Sequence, residues 1–248
     1  MLNKIPNPMG SYGWLDRVLS TPPVRKLKGR TKSTQYHELW SNHVNRFVGA
    51  QGRNEAIALL LLEHLATLGQ ITRFKEQPFV TEPEEFGHAI IPDFLAIDRD
   101  KKIYVIEVKN SRFITAITQA NLDRNKQRFS ELGITYVCWT DHHPLSLYLR
   151  HNLVEMRRVA QLVPQDETQE LRAHLVEHGP TRFFSLVDAG FDQGCVLAAA
   201  WRGEAYFPVQ EAFGPETSVS HLPIIDLAAI ALGTSTGGHG WWEQLSRA

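Results

Sequence analysis

The stretch from Ile90 to Lys109 constrains this chain more than any other. Ile103-Tyr104-Val105-Ile106 is an apolar run ending in Glu107-Val108-Lys109. It follows a second apolar segment, Ile90-Ile91-Pro92-Asp93-Phe94-Leu95-Ala96-Ile97, across the turn-forming residues Asp98-Arg99-Asp100-Lys101-Lys102. Short apolar runs bounded by turn residues read as strands, and the spacing predicts an antiparallel pair. Side chains two apart share one face of a strand, so Glu107 and Lys109 point together while Ile106 and Val108 point into the opposite layer. Pairing of the two strands brings Asp93 beside that charged end.

Two carboxylates and an amine placed in this way suit phosphodiester hydrolysis with a divalent cation. Magnesium takes hard oxygen ligands, commonly one or two carboxylates plus water and substrate phosphate, and it lowers the pKa of a bound water. Asp93 and Glu107 fit the metal, and Lys109 fits a group that orients or deprotonates the attacking water, because desolvation near a metal depresses an ammonium. The same short pattern also fits an ordinary surface hairpin with a same-face Glu–Lys pair.

A third carboxylate stands upstream. Residues 54–68 read as a helix with Asn54 as N-cap and Gly69 closing it. Glu55 lies in line with Leu59, Leu62 and Ala66, at the N-terminal end of an apolar stripe, where an unpartnered carboxylate is costly. First-turn placement against the helix dipole is the other reading of Glu55. Glu63, a quarter-turn away, reads as solvated. Strands are predicted near 71–80, 89–97 and 103–109, then a helix near 115–132 ending at Gly133 and a strand at 134–140, an αβββαβ order of the α/β class. The helix reading exposes Arg112, Arg124, Lys126 and Arg128 near the carboxylates, either to line a DNA cleft or as an ordinary solvated face.

The net charge of −1 does not mark a nucleic-acid binder, but its distribution is uneven. Arg17, Arg25, Lys26, Lys28, Arg30 and Lys32 occur before His37 without an acidic residue after Arg17. Residues 1–40 read as a basic arm suited to tracking phosphates, or as a solvated leader. No apolar run is long enough to span a bilayer and the first residues lack a signal-peptide core, so a cytoplasmic protein is expected. Cys138 and Cys195 form no metal-ligand pattern and read as buried thiols, and His142-His143 reads as a loop.

Helix-borne Glu55, the strand Gln77-Pro78-Phe79, Pro92-Asp93-Phe94-Leu95 and Glu107-Val108-Lys109 occur in an order that resembles the PD-(D/E)xK nucleases. More specifically they resemble TnsA, the endonuclease subunit of heteromeric cut-and-paste transposases. The similarity continues through Tyr136-Val137-Cys138-Trp139-Thr140-Asp141 and Asn152-Leu153. It implies a restriction-endonuclease-like core over 41–163, with Glu55, Asp93, Glu107 and Lys109 catalytic. Mg2+, with Mn2+ as substitute, would be held by Asp93, Glu107 and Val108. The implied reaction is hydrolysis of one strand at each transposon end in double-stranded DNA. An integrase-type transposase subunit and an AAA+ ATPase regulator are the implied partners. Arg25, Lys26, Lys28, Arg30, Lys32, Arg112, Arg124 and Lys126 would contact DNA.

Residues 166–248 read as a smaller unit after a Pro164-Gln165-Asp166 linker. Helices are predicted at 167–178, near 181–189 and from the Asp192 cap to Trp201, with a wing over 203–209 and a flexible Gly233–Gly240 tail. This resembles the winged-helix domain that TnsA proteins carry. The third helix offers only Gln193 and Arg202 to a base edge or phosphate, so it reads as a partner-docking module whose removal leaves the nuclease core folded. A freestanding restriction or junction nuclease, and a non-catalytic DNA-binding scaffold, are the alternatives.

Overall fold

The structure, a computed structural model, describes residues 12–24, 35–81 and 83–233. Helix α1 (Tyr12–Ser20) precedes a hairpin of β1 (Tyr36–Ser41) and β2 (Arg46–Gln51), which leads into α2 (Arg53–Thr67). Then come β3 (Ile71–Glu76), the short α3 (Pro83–Phe86), β4 (Phe94–Asp98), β5 (Ile103–Lys109), α4 (Ala116–Glu131) and β6 (Thr135–Thr140). The chain continues through α5 (Leu147–Ala160), α6 (Gln165–His178), β7 (Thr181–Arg182), α7 (Phe183–Asp188), α8 (Gln193–Arg202), β8 (Ser218–Val219) and α9 (Leu227–Leu232). It is a mixed α/β protein. Among the described residues no helix is long and apolar enough to cross a membrane.

Strands β3-β4-β5-β6 form one sheet, antiparallel except for the β5–β6 pair. A parallel pair needs a crossover, and α4 supplies it. Phe94, Ala96, Tyr104, Ile106, Val108 and Trp139 face the layer that contains α2 and α5. Leu95, Ile97, Val105, Tyr136 and Cys138 share the opposite layer with Phe129 of α4 and Trp14 of α1. Burial on both faces explains why β4 and β5 read as continuous apolar runs rather than alternating ones. Helix α2 is buried over Ile57–Ala66 on every side, Glu63 included. The solvated Glu63 anticipated from sequence is therefore corrected: its Oε1 accepts a hydrogen bond from Asn42 N at 2.8 Å, because the β1–β2 turn folds over the helix.

Gly52, not Asn54, occupies the N-cap of α2. Its φ of 103° lies where a Cβ is strained, so only glycine turns the hairpin into the helix easily. The extended arm expected over 1–40 is in part a helix and a strand. Arg17 lies in α1, whose C-terminal end is tied to the sheet by buried Lys75, donating to the carbonyls of Val18 and Thr21. Burial pulls the Lys75 pKa down to about 8. Arg25, Lys26, Lys28, Arg30 and Lys32 lie outside the described residues, as does the tail beyond Gly233.

The hairpin is locked to the sheet by Arg46, which donates to both carboxylate oxygens of Glu76 at 2.5 and 2.7 Å. Glu76's side chain is 4% exposed and Arg46's 38%. Arg46→Met leaves a buried carboxylate uncompensated. A fully buried pair broken this way loses several kcal/mol, and solvent at Arg46 reduces the expected loss to about 2 kcal/mol. Urea unfolding measures it, and Arg46→Met combined with Glu76→Met is expected to restore most of the loss.

Residues beyond 166 share their core with the sheet. Leu197, Ala198 and Ala200 of α8, with Phe207, Val209, Leu227 and Leu232, join the cluster built on α2 and α5. The other side of α8 (Cys195, Val196, Ala199) packs with Leu171, Leu175 and Leu186. Asn152 of α5 donates to the carbonyls of Val209 and Glu211, and Trp139 Nε1 to that of Ala231. The predicted wing over 203–209 is not a hairpin. Within it Tyr206 makes one bridge to Ser220, and β7 pairs with β8. The two cysteines are free and buried.

Candidate active site

Asp93 immediately precedes β4, at the edge left open where β5 runs on past its partner. Its carbonyl accepts from Gln77 N at 2.8 Å and its Oδ2 from Val108 N at 2.7 Å. The N–H and C=O of one extended residue point to the same side, so the Val108 carbonyl faces Asp93 as well. Glu107 is 9% exposed. Its Oε1 accepts from Lys109 Nζ, and its Oε2 is buried without a hydrogen-bond partner. The shared face of Glu107 and Lys109 is the one expected from their spacing.

Glu55 enters from the N-terminus of α2, and its Oε2 accepts from Gln51 N at 2.8 Å. Beside it, Asn54 reaches the Lys109 carbonyl with Nδ2 at 3.3 Å, joining the start of α2 to the end of β5. Burial, then the negative charges of Glu107 and Glu55, hold Asp93 well above the usual carboxylate range, against the hydrogen bond from Val108. Burial alone would lower Lys109. The Glu107 carboxylate in contact with it, and Asp93 beyond, more than offset this and raise it. The depression expected from sequence belongs to a lysine beside a bound cation; among the protein's own groups, Glu107 and Asp93 favour the ammonium.

Among the described residues no three His, Cys, Asp or Glu side chains gather into a cluster able to hold a metal by themselves. The donor set is two carboxylates and the Val108 carbonyl, all hard oxygens. Magnesium is bound in this manner, with water and phosphate oxygens completing its octahedron. The negative charges of Glu107 and Glu55 that help raise Asp93 are charge a divalent cation would neutralise, so the residues fit the metal.

Behind Glu107 lies a polar wall that sequence reading missed. Tyr136 and Cys138 of β6 share its face, since Glu107 is in register with Cys138 and Val105 with Tyr136. Burial first, and Glu107 second, push the Cys138 thiol up to about 12 and raise the Tyr136 phenol far above its ordinary value. Asn125 of α4 is buried beside Tyr136. The signal for it was present: Asn125 interrupts the apolar stripe of Leu122 and Phe129.

The rim is basic. Arg112 lies on a 3-10 turn, Ser111–Phe113, ahead of α4 rather than on the helix as expected. Arg124 and Lys126 are exposed on α4, flanking the inward Asn125. Arg150, not anticipated, lies close to Arg53 and to Asp141, whose Oδ1 accepts from Ser111 N at 2.6 Å. Asp93, Glu107, Lys109, Val108 and Glu55 are thus brought to one end of the sheet.

No family model matches this chain, and no curated protein matches it.

Proposed function

We propose that this chain is a magnesium-dependent DNA endonuclease with a PD-(D/E)xK core that hydrolyses one strand at each transposon end, as TnsA-like subunits do. The meeting of Asp93, Glu107 and Lys109 at the open end of β5 carries this reading. Apart from the one-turn α3 between β3 and β4, the succession α2-β3-β4-β5-α4-β6 agrees with the αβββαβ core of that class. Asp93, Glu107 and the Val108 carbonyl would hold Mg2+ or Mn2+, which supplies an acidified water and charge stabilisation at the phosphate. Lys109, kept cationic by Glu107, orients the attacking water and stabilises negative charge on the phosphoryl oxygens. Glu55 fixes the start of α2 against this centre and adds to its negative potential.

In the C-terminal part, the order α6-β7-α7-α8 followed by β8 is the support for a winged-helix-like arrangement. Helix α8 is buried over Cys195–Ala200, and Arg202 donates to the carbonyls of Ala160, Val163 and Pro164. A helix so occupied cannot read base edges. Site choice then comes from partners, for which an integrase-type transposase subunit and an AAA+ ATPase are the proposed candidates.

The test is strand cleavage of end-containing duplex DNA with Mg2+ or Mn2+, with and without those partners. Nicking is expected when they are present. Lys109→Ala is expected to reduce turnover by about a hundredfold or more while leaving metal affinity, measured by calorimetry, close to wild type. Site-specific cutting by the protein alone would favour a freestanding nuclease, and no cleavage under any condition would sink the enzymatic reading.

A further inference from the structure

Three polar atoms on the wall behind Glu107 are buried and make no hydrogen bond among the described residues: Glu107 Oε2, Tyr136 Oη and Asn125 Oδ1. Their residues are 9%, 4% and 5% exposed. A buried polar atom left unsatisfied is costly, so three on one wall call for a common partner. The fold gathers them. In the parallel register Val105 faces Tyr136 and Glu107 faces Cys138, so Tyr136 and Glu107 are diagonal neighbours on one face, about 8 Å apart at Cα and within side-chain reach. Helix α4 runs back antiparallel to both strands, as their crossover requires, with Leu122, Asn125 and Phe129 inward. The Tyr136 ring lies flat on Phe129, with centroids 5.4 Å apart and planes 4° from parallel. Asn125 is one turn, about 6 Å, nearer the Glu107 end than Phe129, and lies beside Tyr136.

Proton counting limits how the three can be satisfied. An ionised carboxylate and an amide oxygen only accept, and the single phenol proton serves one of them. One water serves all three: it accepts from Tyr136 Oη and donates to Glu107 Oε2 and Asn125 Oδ1. Buried waters typically make about three such bonds to groups that otherwise lack a partner. The other carboxylate oxygen is already turned toward Lys109, so a bond at Oε2 fixes the carboxylate plane. We propose that Tyr136 and Asn125, through one buried water, clamp Glu107 Oε2 and position this carboxylate for the cation. Metal-ligating carboxylates are generally oriented by such outer partners, whose loss costs about 10–100-fold in metal affinity.

The clamp rests on the nuclease reading, in which Glu107 holds the metal, and is tested separately from it on the full chain without DNA. Mn2+ affinity is measured by calorimetry for wild type, Tyr136→Phe, Asn125→Leu and the double variant, with a metal-free thermal melt of each. Each single variant is expected to bind Mn2+ about tenfold more weakly. The double variant is expected to bind hardly more weakly than either, because the three atoms share one water. The thermal midpoints are expected to stay near wild type, since both substitutions nearly conserve volume. A role confined to packing would move the midpoint and leave the affinity alone. Should Asn125→Leu melt far below wild type, Asn125→Ala takes its place in the cycle. Wild-type affinity in either single variant, or losses that multiply in the double, overturns the clamp and leaves the nuclease reading intact. If the wild type itself binds no Mn2+, the nuclease reading fails and the clamp falls with it.

Discussion

Replacing Glu107 with glutamine is expected to abolish metal-dependent strand cleavage, by about a thousandfold or more, without unfolding the protein. Glutamine keeps the volume and can still accept from Lys109 through its amide oxygen, so the buried end of β5 retains its shape. What is lost is the negative charge that, with Asp93, would hold a divalent cation. Mn2+ affinity measured by calorimetry is expected to fall alongside cleavage, whereas Lys109→Ala should separate the two. Asp93→Asn is expected to behave like the glutamine variant, with one difference. Asp93 Oδ2 accepts from Val108 N, and an asparagine flipped the wrong way would present a donor to that N–H, so some loss of stability accompanies it. Cleavage at wild-type rates by the Glu107 variant would remove these carboxylates from the chemistry.

Deleting residues 166–248 is expected to destroy cooperative folding rather than release an intact nuclease core. The truncation strips Leu197, Phe207, Val209, Leu227 and Leu232 from the cluster around α2 and α5. At roughly 1.5–3 kcal/mol for each large buried side chain the loss is on the order of 10 kcal/mol, comparable with the whole stability of a typical domain. Two buried donors, Asn152 Nδ2 and Trp139 Nε1, also lose their carbonyl partners. Circular dichroism should show no sharp thermal transition, and limited proteolysis should digest the fragment quickly. A cooperative melt by the truncated protein would establish residues 1–165 as a unit that folds alone. As a milder check, Leu197→Ala in the full chain is expected to cost about 3 kcal/mol.

How far local pattern reached is visible in particular residues. The two-residue period of a strand over 103–109 was enough to place Glu107 with Lys109 on one face, and Pro92-Asp93 followed by a turn was enough to return Asp93 to their side. The helices at 53–67 and 116–131 were legible from their apolar periodicity and closing glycines. The β1–β2 hairpin was not, because Trp40 and Phe47 remain partly exposed and pack on each other at its edge, 5.2 Å apart, leaving little core-facing alternation to read. Helix α5 was missed over most of its length for a different reason: its polar residues Asn152 and Arg157 are spent on carbonyls of distant segments.

The sequence alone determined the strand pair, its shared charged face and the order of elements around it, since these depend on residue spacings of two and of three to four along one segment. Tertiary structure decided the rest. Glu63 is buried because a hairpin folds over it, Lys109 is drawn toward its charged form because Glu107 and Asp93 lie beside it, and α8 is covered on two sides because the core cluster of α2 and α5 and the cluster of α6 and α7 both pack on it. Each of these depends on a neighbour remote in the chain or on the low polarity that packing creates, and a local pattern carries no information about either.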